Sequence, residues 1–192
     1  MSRILVVYAS HYGQTRNIAE HIVERLRRQS HDVTLANADG AAKAPPPQAF
    51  DAVILGSRVE FGQHAPTILS YIREHRRALS AIPTGFYSVS MSAAASTRRD
   101  PNGYLVKTFG QLRWAPNESV AFGGGLPYTR YGWILRFVMK QLSRRDGHTT
   151  DTSRDHVFTD FAAVSTFADR IAALLGTRRG RTEPVRSTVV AH

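Results

Sequence analysis

The sequence predicts an α/β fold, a doubly wound five-stranded parallel sheet with helices on both faces. Three observations carry that prediction. Short apolar runs alternate along the chain with longer segments whose apolar residues recur every three or four positions. The runs are continuously apolar, as strands covered on both faces require. The first of them, residues 4–9, passes directly into the polar loop Ser10-His11-Tyr12-Gly13-Gln14-Thr15 and then into a helical pattern.

Each element follows in turn. Helix one is expected over residues 15–28, with Ile18, Ile22 and Leu26 at i, i+4 and i+8 and with Ala19 and Val23 beside them. Residues 33–35 are a short second strand. Pro45-Pro46-Pro47 marks a loop, and residues 52–56 are a third, fully buried strand. Pro66 opens a helix that buries Ile68, Leu69 and Ile72. Residues 85–89 form a fourth strand, 104–112 a helix and 120–123 a fifth strand. After a long interval, residues 126–157, Thr159-Asp160 cap a last helix through Leu175. Its inward positions are Phe161, Val164, Phe167, Ala168, Ile171 and Leu174. Residues 1–176 are thus one domain carrying an insert, and the basic segment 177–192, which has no periodicity, is expected to be mobile.

Composition narrows the classes. At 192 residues the chain can bury a substantial core. It has no cysteine, which excludes disulfides, thiolate metal sites and thiol nucleophiles, and no metal site is expected. No apolar run reaches the ~20 residues that span a bilayer, and no signal-peptide pattern opens the chain, so a cytoplasmic protein is expected. The net charge is +10. Residues 98–113, residues 126–157 and the tail from Thr177 each carry +3 of it, so the charge lies on loops and tail, where it serves anionic partners. A nucleic-acid binder is not expected, because no reader motif accompanies the basic residues.

The loop at Ser10–Thr15 has the chemistry of a phosphate site. A helix N-terminus presents backbone N–H groups and a positive dipole end, and Ser10 and Thr15 add hydroxyls. Neither the P-loop Gly-Lys-Ser/Thr nor Gly-x-Gly-x-x-Gly is present, which suggests a mononucleotide such as FMN. In a doubly wound sheet the ligand binds beyond the carboxyl ends of the strands, where the winding reverses. Two further loops fall there: Ser57-Arg58-Val59-Glu60-Phe61-Gly62-Gln63-His64, and Ser88-Val89-Ser90-Met91-Ser92. Gly123-Gly124-Gly125 offers another close backbone approach. The expected cofactor-binding residues are therefore Ser10, His11, Tyr12, Gly13, Gln14, Thr15, Ser57, Phe61, Gly62, Ser88, Val89, Ser90, Met91, Gly123 and Gly124.

These residues resemble the flavodoxin fold, and within it the menaquinone-dependent protoporphyrinogen oxidase family. The matching segments are Gly13-Gln14-Thr15-Arg16, Phe86-Tyr87-Ser88-Val89, Arg130-Tyr131-x-Trp133-x-x-Arg136-Phe137, Thr150-Asp151-Thr152 and Thr159-Asp160, spread over residues 3–175. The chain departs at Glu60-Phe61, where the family tends to carry an arginine and a tyrosine. The resemblance implies FMN as cofactor, protoporphyrinogen IX as substrate and menaquinone or ubiquinone as electron acceptor. It also implies a place on the inner face of the cell membrane. An oligomer is compatible with it.

Several residues admit two readings. Phe61 could stack on a flavin ring or be core, and so could Tyr87. His11 and His64 read as solvated loop histidines rather than catalysts, and no general base stands out. In the insert, Ile134, Leu135, Val138, Met139 and Leu142 form one helical stripe, opposite Arg136, Lys140 and Arg144. That pattern suits an anionic membrane surface or an ordinary packed helix. The other functional classes are a flavodoxin-type electron carrier, whose usual acidic surface is missing, and a flavin-dependent quinone reductase fed by a nicotinamide, for which no motif is present.

Overall fold

The computed structural model describes residues 1–90, 103–126, 156–157 and 159–182. Five strands form the parallel sheet: β1 (Arg3–Ala9), β2 (Asp32–Asn37), β3 (Ala52–Glu60), β5 (Thr84–Ser90) and β6 (Glu118–Gly123). Their spatial order is β2-β1-β3-β5-β6. The chain adds β2 on one side of β1 and every later parallel strand on the other, so the winding reverses between β1 and β3. Tyr8 pairs with Gly56 there, and Ala9 with Ser57. The expected parallel α/β sheet is present.

Helices α1 (Gln14–Arg28) and α4 (Phe161–Thr182) cover one face, and α2 (Pro66–Leu79) and α3 (Gly103–Leu112) cover the other. Alternation along each strand supplies both cores. Ile4, Val6 and Ile54 meet Ile18, Ile22, Phe167 and Ile171, whereas Leu5, Val7 and Leu55 meet Ile68, Ile72 and Leu105. Burial of such side chains contributes roughly 1.5–3 kcal/mol apiece, so these layers hold the sheet edge rigid. Leu69 and Leu174 are only half-buried. In α4 the buried stripe is Val164, Phe167, Ala168, Ile171 and Leu175, one position off the expected end.

Three boundaries differ from the sequence reading. Strand β3 runs on to Glu60 and returns antiparallel as β4 (Gln63–His64), with Val59 facing His64 and Glu60 facing Gln63. The expected loop over residues 57–64 is therefore the end of a strand and a tight hairpin. Its two turn residues, Phe61 at φ 51° and Gly62 at φ 76°, both take positive φ, as a turn matching the twist of the strands requires. A second ribbon pairs β7 (Gly125–Leu126) with β8 (His156–Val157), joining the two ends of the insert beside the sheet. Helix α4 continues past Leu175, through Gly176 and Gly180, to Thr182, two residues before Pro184. Residues 127–155 of the insert, with the basic helical pattern read in their sequence, lie outside the described residues, as does the tail beyond residue 182.

One contact threads the sheet. The ring of Tyr87, fully buried on β5, lies over Gly56 on β3, and its hydroxyl donates to the Thr15 carbonyl at 3.0 Å. Burial holds the Tyr87 phenol well above its usual pKa, so it stays a donor. Tyr87 is thus a core aromatic that fixes the first turn of α1. A Cβ on Gly56 would fall 2.0 Å from Tyr87 Cζ. Gly56→Ala is therefore expected to destabilise the fold by about 1–3 kcal/mol or more through overpacking, with the loss read from urea midpoints. Gly56→Ala combined with Tyr87→Leu should recover part of it.

Candidate functional site

The carboxyl edge is built from the turns after β1, β3 and β6. After β1, Gly13 takes a left-handed conformation, φ 98° and ψ −17°, as the N-cap of α1, and no side chain caps the helix. A left-handed residue favours glycine because it has no Cβ to clash. Ser10 Oγ accepts from Gly13 N at 3.1 Å, which tightens the turn and leaves the Ser10 hydroxyl proton to donate outward. The helix starts with no acidic residue in its first turn. Its positive dipole end is therefore uncompensated by a carboxylate, as an anion site requires. Thr15 is buried beneath this turn.

Gln14 is turned away from the opening. Its Nε2 donates to Thr159 Oγ1 at 2.7 Å, and Thr159 Oγ1 donates to the Gly123 carbonyl at 2.6 Å. This relay ties the loop to the end of β6 and to the start of α4. What Gln14 can offer a ligand is its backbone. Gly123 and Gly124 are buried, with Gly124 N donating to the Ser90 carbonyl at 2.9 Å.

The hairpin after β3 supplies the other wall. Phe61 is fully exposed at its tip, in strained positive-φ backbone. An exposed aromatic held in strain at a sheet edge fits a ring-stacking role better than a core role. Gly62 follows, half-buried. Arg58, Glu60 and His11 then form a connected polar series. His11 Nδ1 lies 3.1 Å from Glu60 Oε1, and Arg58 Nε lies 3.1 Å from Glu60 Oε2 as an ion pair without hydrogen-bond geometry. Arg58 also donates from a terminal nitrogen to Asp39 Oδ2 at 2.6 Å, and Thr67 Oγ1 donates to Asp39 Oδ1 at 2.7 Å. The His11 ring stacks on Tyr12, centroids 4.4 Å apart and planes 10° apart.

Ser57, Ser88 and Val89 face inward. Ser57 Oγ accepts from Ala65 N at 2.9 Å, which satisfies the start of α2, and donates to the Arg58 carbonyl. Ser88 Oγ meets His64 Nε2 at 3.0 Å, while His64 Nδ1 meets Thr108 Oγ1 at 2.9 Å. Val89 belongs to the α1–α4 core, and Ser90 is buried. Met91 lies outside the described residues. The expectation that His64 is solvated is corrected: it is buried, edge-on to Phe86, with both nitrogens engaged. Its partners lie far off in sequence, so no local pattern could have revealed this. Among the described residues no cluster of His, Asp and Glu could hold a metal ion, and no helix is long and apolar enough to cross a membrane.

The fold and this edge define a class. The family model described as "Flavodoxin domain" matches residues 5–153. Oxidised flavodoxin 1 of Bacillus cereus superposes with a TM-score of 0.54 over 90% of this chain and 98% of its own, at 14% identity. A flavodoxin from Streptococcus pneumoniae TIGR4 superposes at 0.53 over 92% and 99%, with 12% identity. At such identity these show the fold alone. Closer in sequence is the protoporphyrinogen IX dehydrogenase [quinone] of Escherichia coli K12, 30% identical over 174 residues, 90% of this chain and 96% of that protein. The protein of the same name from Leishmania major is 28% identical over 90% of this chain and 75% of its own length. The chain belongs to the flavodoxin-domain proteins and, within them, to the quinone-dependent protoporphyrinogen IX dehydrogenase family of oxidoreductases.

Burial lowers the His64 pKa from its usual 6.5 to about 4. A neutral imidazole is therefore favoured in the fold, and the unfolded chain binds the extra proton between those values. Stability is expected to be complete above pH 6.5 and to fall by up to ~3 kcal/mol as pH drops toward 4. Urea melts across that range check it, and His64→Gln should flatten the slope.

Proposed function

We propose that this chain is an FMN-dependent dehydrogenase that oxidises protoporphyrinogen IX to protoporphyrin IX in haem biosynthesis and passes the electrons to menaquinone or ubiquinone. One observation carries the substrate: the 30% identity to the Escherichia coli dehydrogenase over nearly the full length of both chains. The edge geometry supports the cofactor. An uncapped helix N-terminus behind a left-handed glycine suits a terminal phosphate, and the exposed ring of Phe61 suits a flat isoalloxazine. Bound FMN would supply the two-electron chemistry.

The residues of this chain would bind and orient. Gly13, Gln14, Thr15 and the Ser10 hydroxyl hold phosphate, and Phe61 with Gly62 covers one side of the ring. The backbone of Ser88–Met91 and of Gly123–Gly124 closes the other side. Tyr87 keeps the first turn of α1 in place from below. The buried hydroxyls of Ser57 and Ser88 support the hairpin and α2 rather than touching the ligand. The insert supplies the membrane contact. Its stripe at Leu135 and Val138 meets lipid, and Arg136, Lys140 and Arg144 meet anionic headgroups or substrate propionates. The protein is thereby peripheral on the inner face of the membrane.

The test is direct. The purified protein should be yellow and release FMN on denaturation, and it should oxidise protoporphyrinogen IX faster when quinone is added. Absence of flavin, or oxidation indifferent to quinone, refutes the reading. Gly13→Val with Thr15→Ala should weaken FMN by at least about 1–3 kcal/mol through lost phosphate contacts and blocked backbone approach. Flavin absorbance after gel filtration reads the loss. Arg136, Lys140 and Arg144 changed together to Glu should release the protein from anionic vesicles with its flavin retained, since each basic group contributes about 1 kcal/mol at such a surface. Co-sedimentation measures this, and unchanged vesicle binding argues against the membrane role.

A further inference from the structure

We propose that His11 is the proton acceptor of substrate oxidation and that Glu60 is its positioning residue. The inference rests on the reading that a porphyrinogen is the substrate. Each oxidation removes two electrons and two hydrogens. The C–H bond of a bridging carbon breaks, and its hydrogen leaves with the electron pair, which FMN would accept when bound. The N–H bond of a pyrrole breaks with its electron pair staying in the ring as a new C=N bond. The proton that remains needs a base, and a positioned imidazole is the commonest one.

Among the described side chains at the carboxyl edge, His11 alone combines an accessible basic nitrogen with a fixed orientation. His64 is buried with both nitrogens bonded. Glu60 has both oxygens committed, one to His11 and one to Arg58. The His11 side chain is 60% exposed, and Glu60 meets it at Nδ1. A carboxylate can only accept, so Nδ1 donates to Glu60, and in the neutral imidazole the lone pair lies on Nε2. Two contacts fix that ring. Glu60 holds Nδ1 and Tyr12 stacks on the plane, while Arg58, itself bonded to Asp39, holds Glu60 from behind. An isolated exposed ion pair would contribute little. A series of groups drawn from β1–α1, β3, the end of β2 and α2 is instead the arrangement of a base and its orienter.

The location suits the chemistry. His11 lies two residues before the left-handed Gly13, and Glu60 immediately precedes the exposed Phe61. The imidazole thus links the expected phosphate turn to the expected stacking turn. The proton passes from pyrrole nitrogen to Nε2, the imidazolium is stabilised by Glu60, and the exposed ring returns the proton to water.

The experiment has two arms on the full chain. In the wild-type protein, with and without FMN, 15N–1H spectra of the His11 ring should show the Nδ1–H tautomer, and Glu60→Ala should shift it toward Nε2–H. Anaerobic mixing of the FMN-loaded protein with protoporphyrinogen IX then follows flavin bleaching. His11→Asn should slow bleaching by about 10²–10⁴-fold. Glu60→Ala should slow it less, and imidazole in the buffer should restore part of the rate to His11→Ala. An Nε2–H tautomer in the wild type, or equal bleaching in wild type and both His11 variants, overturns the role of His11. Failure of the wild-type flavin to bleach at all overturns the substrate reading and the base with it. The tautomer is read on the wild-type chain, so a variant that loses flavin leaves that arm intact.

Discussion

The phenol of Tyr87 crosses β3 at Gly56, where no Cβ stands in its way, and its proton goes to the Thr15 carbonyl at 3.0 Å. The geometry of the carboxyl edge depends on that contact. The first turn of a helix has N–H groups without helical acceptors, and here no side chain caps them behind Gly13. Such a turn frays unless something holds it from the core side. Tyr87 does so from a strand two positions across the sheet. Thr15 is anchored below through its carbonyl. The reach of that ring explains why a glycine interrupts the otherwise branched run of β3, a feature that reads in the sequence as a simple strand end.

A second set of ties acts sideways. Gln14, Thr159 and Gly123 form a hydrogen-bonded relay between the β1 turn, α4 and β6. His64 joins β4, β5 and α3 through Ser88 and Thr108. Neither tie presents its polar groups to a ligand. Both keep the walls of the edge from moving apart. Because buried polar groups must be satisfied, removing one partner leaves the other stranded. These residues are therefore as intolerant of change as those that face the opening.

Much of the architecture was legible in the residues, and the reason is local. The apolar periodicity of α1, α2 and α4 and the unbroken runs of β1 and β3 depend on neighbours in sequence. So does the phosphate-loop chemistry of Ser10–Thr15. Segment 57–64 was not legible, because Arg58, Val59 and Glu60 alternate too briefly to mark a strand. Its turn also places a phenylalanine where asparagine or glycine is usual. The inward turn of Ser57, Ser88 and Gln14 depended on partners as much as 145 residues away. Glu60 looked like a departure beside the ring. In three dimensions it sits between His11 Nδ1 and the Arg58 guanidinium, so both of its oxygens have a partner where it stands.

The ribbon of β7 and β8 brings the ends of the insert together, Gly125 against Val157 and Leu126 against His156. A segment whose ends are already adjacent imposes little on the domain that carries it. The closure entropy of such a loop grows only with the logarithm of its length, about 0.6 kcal/mol for each doubling. The stem therefore acts as a socket. Pieces of different length and greasiness can be fitted there without disturbing the sheet, so the surface this enzyme presents to its surroundings can change while the flavodoxin scaffold stays fixed.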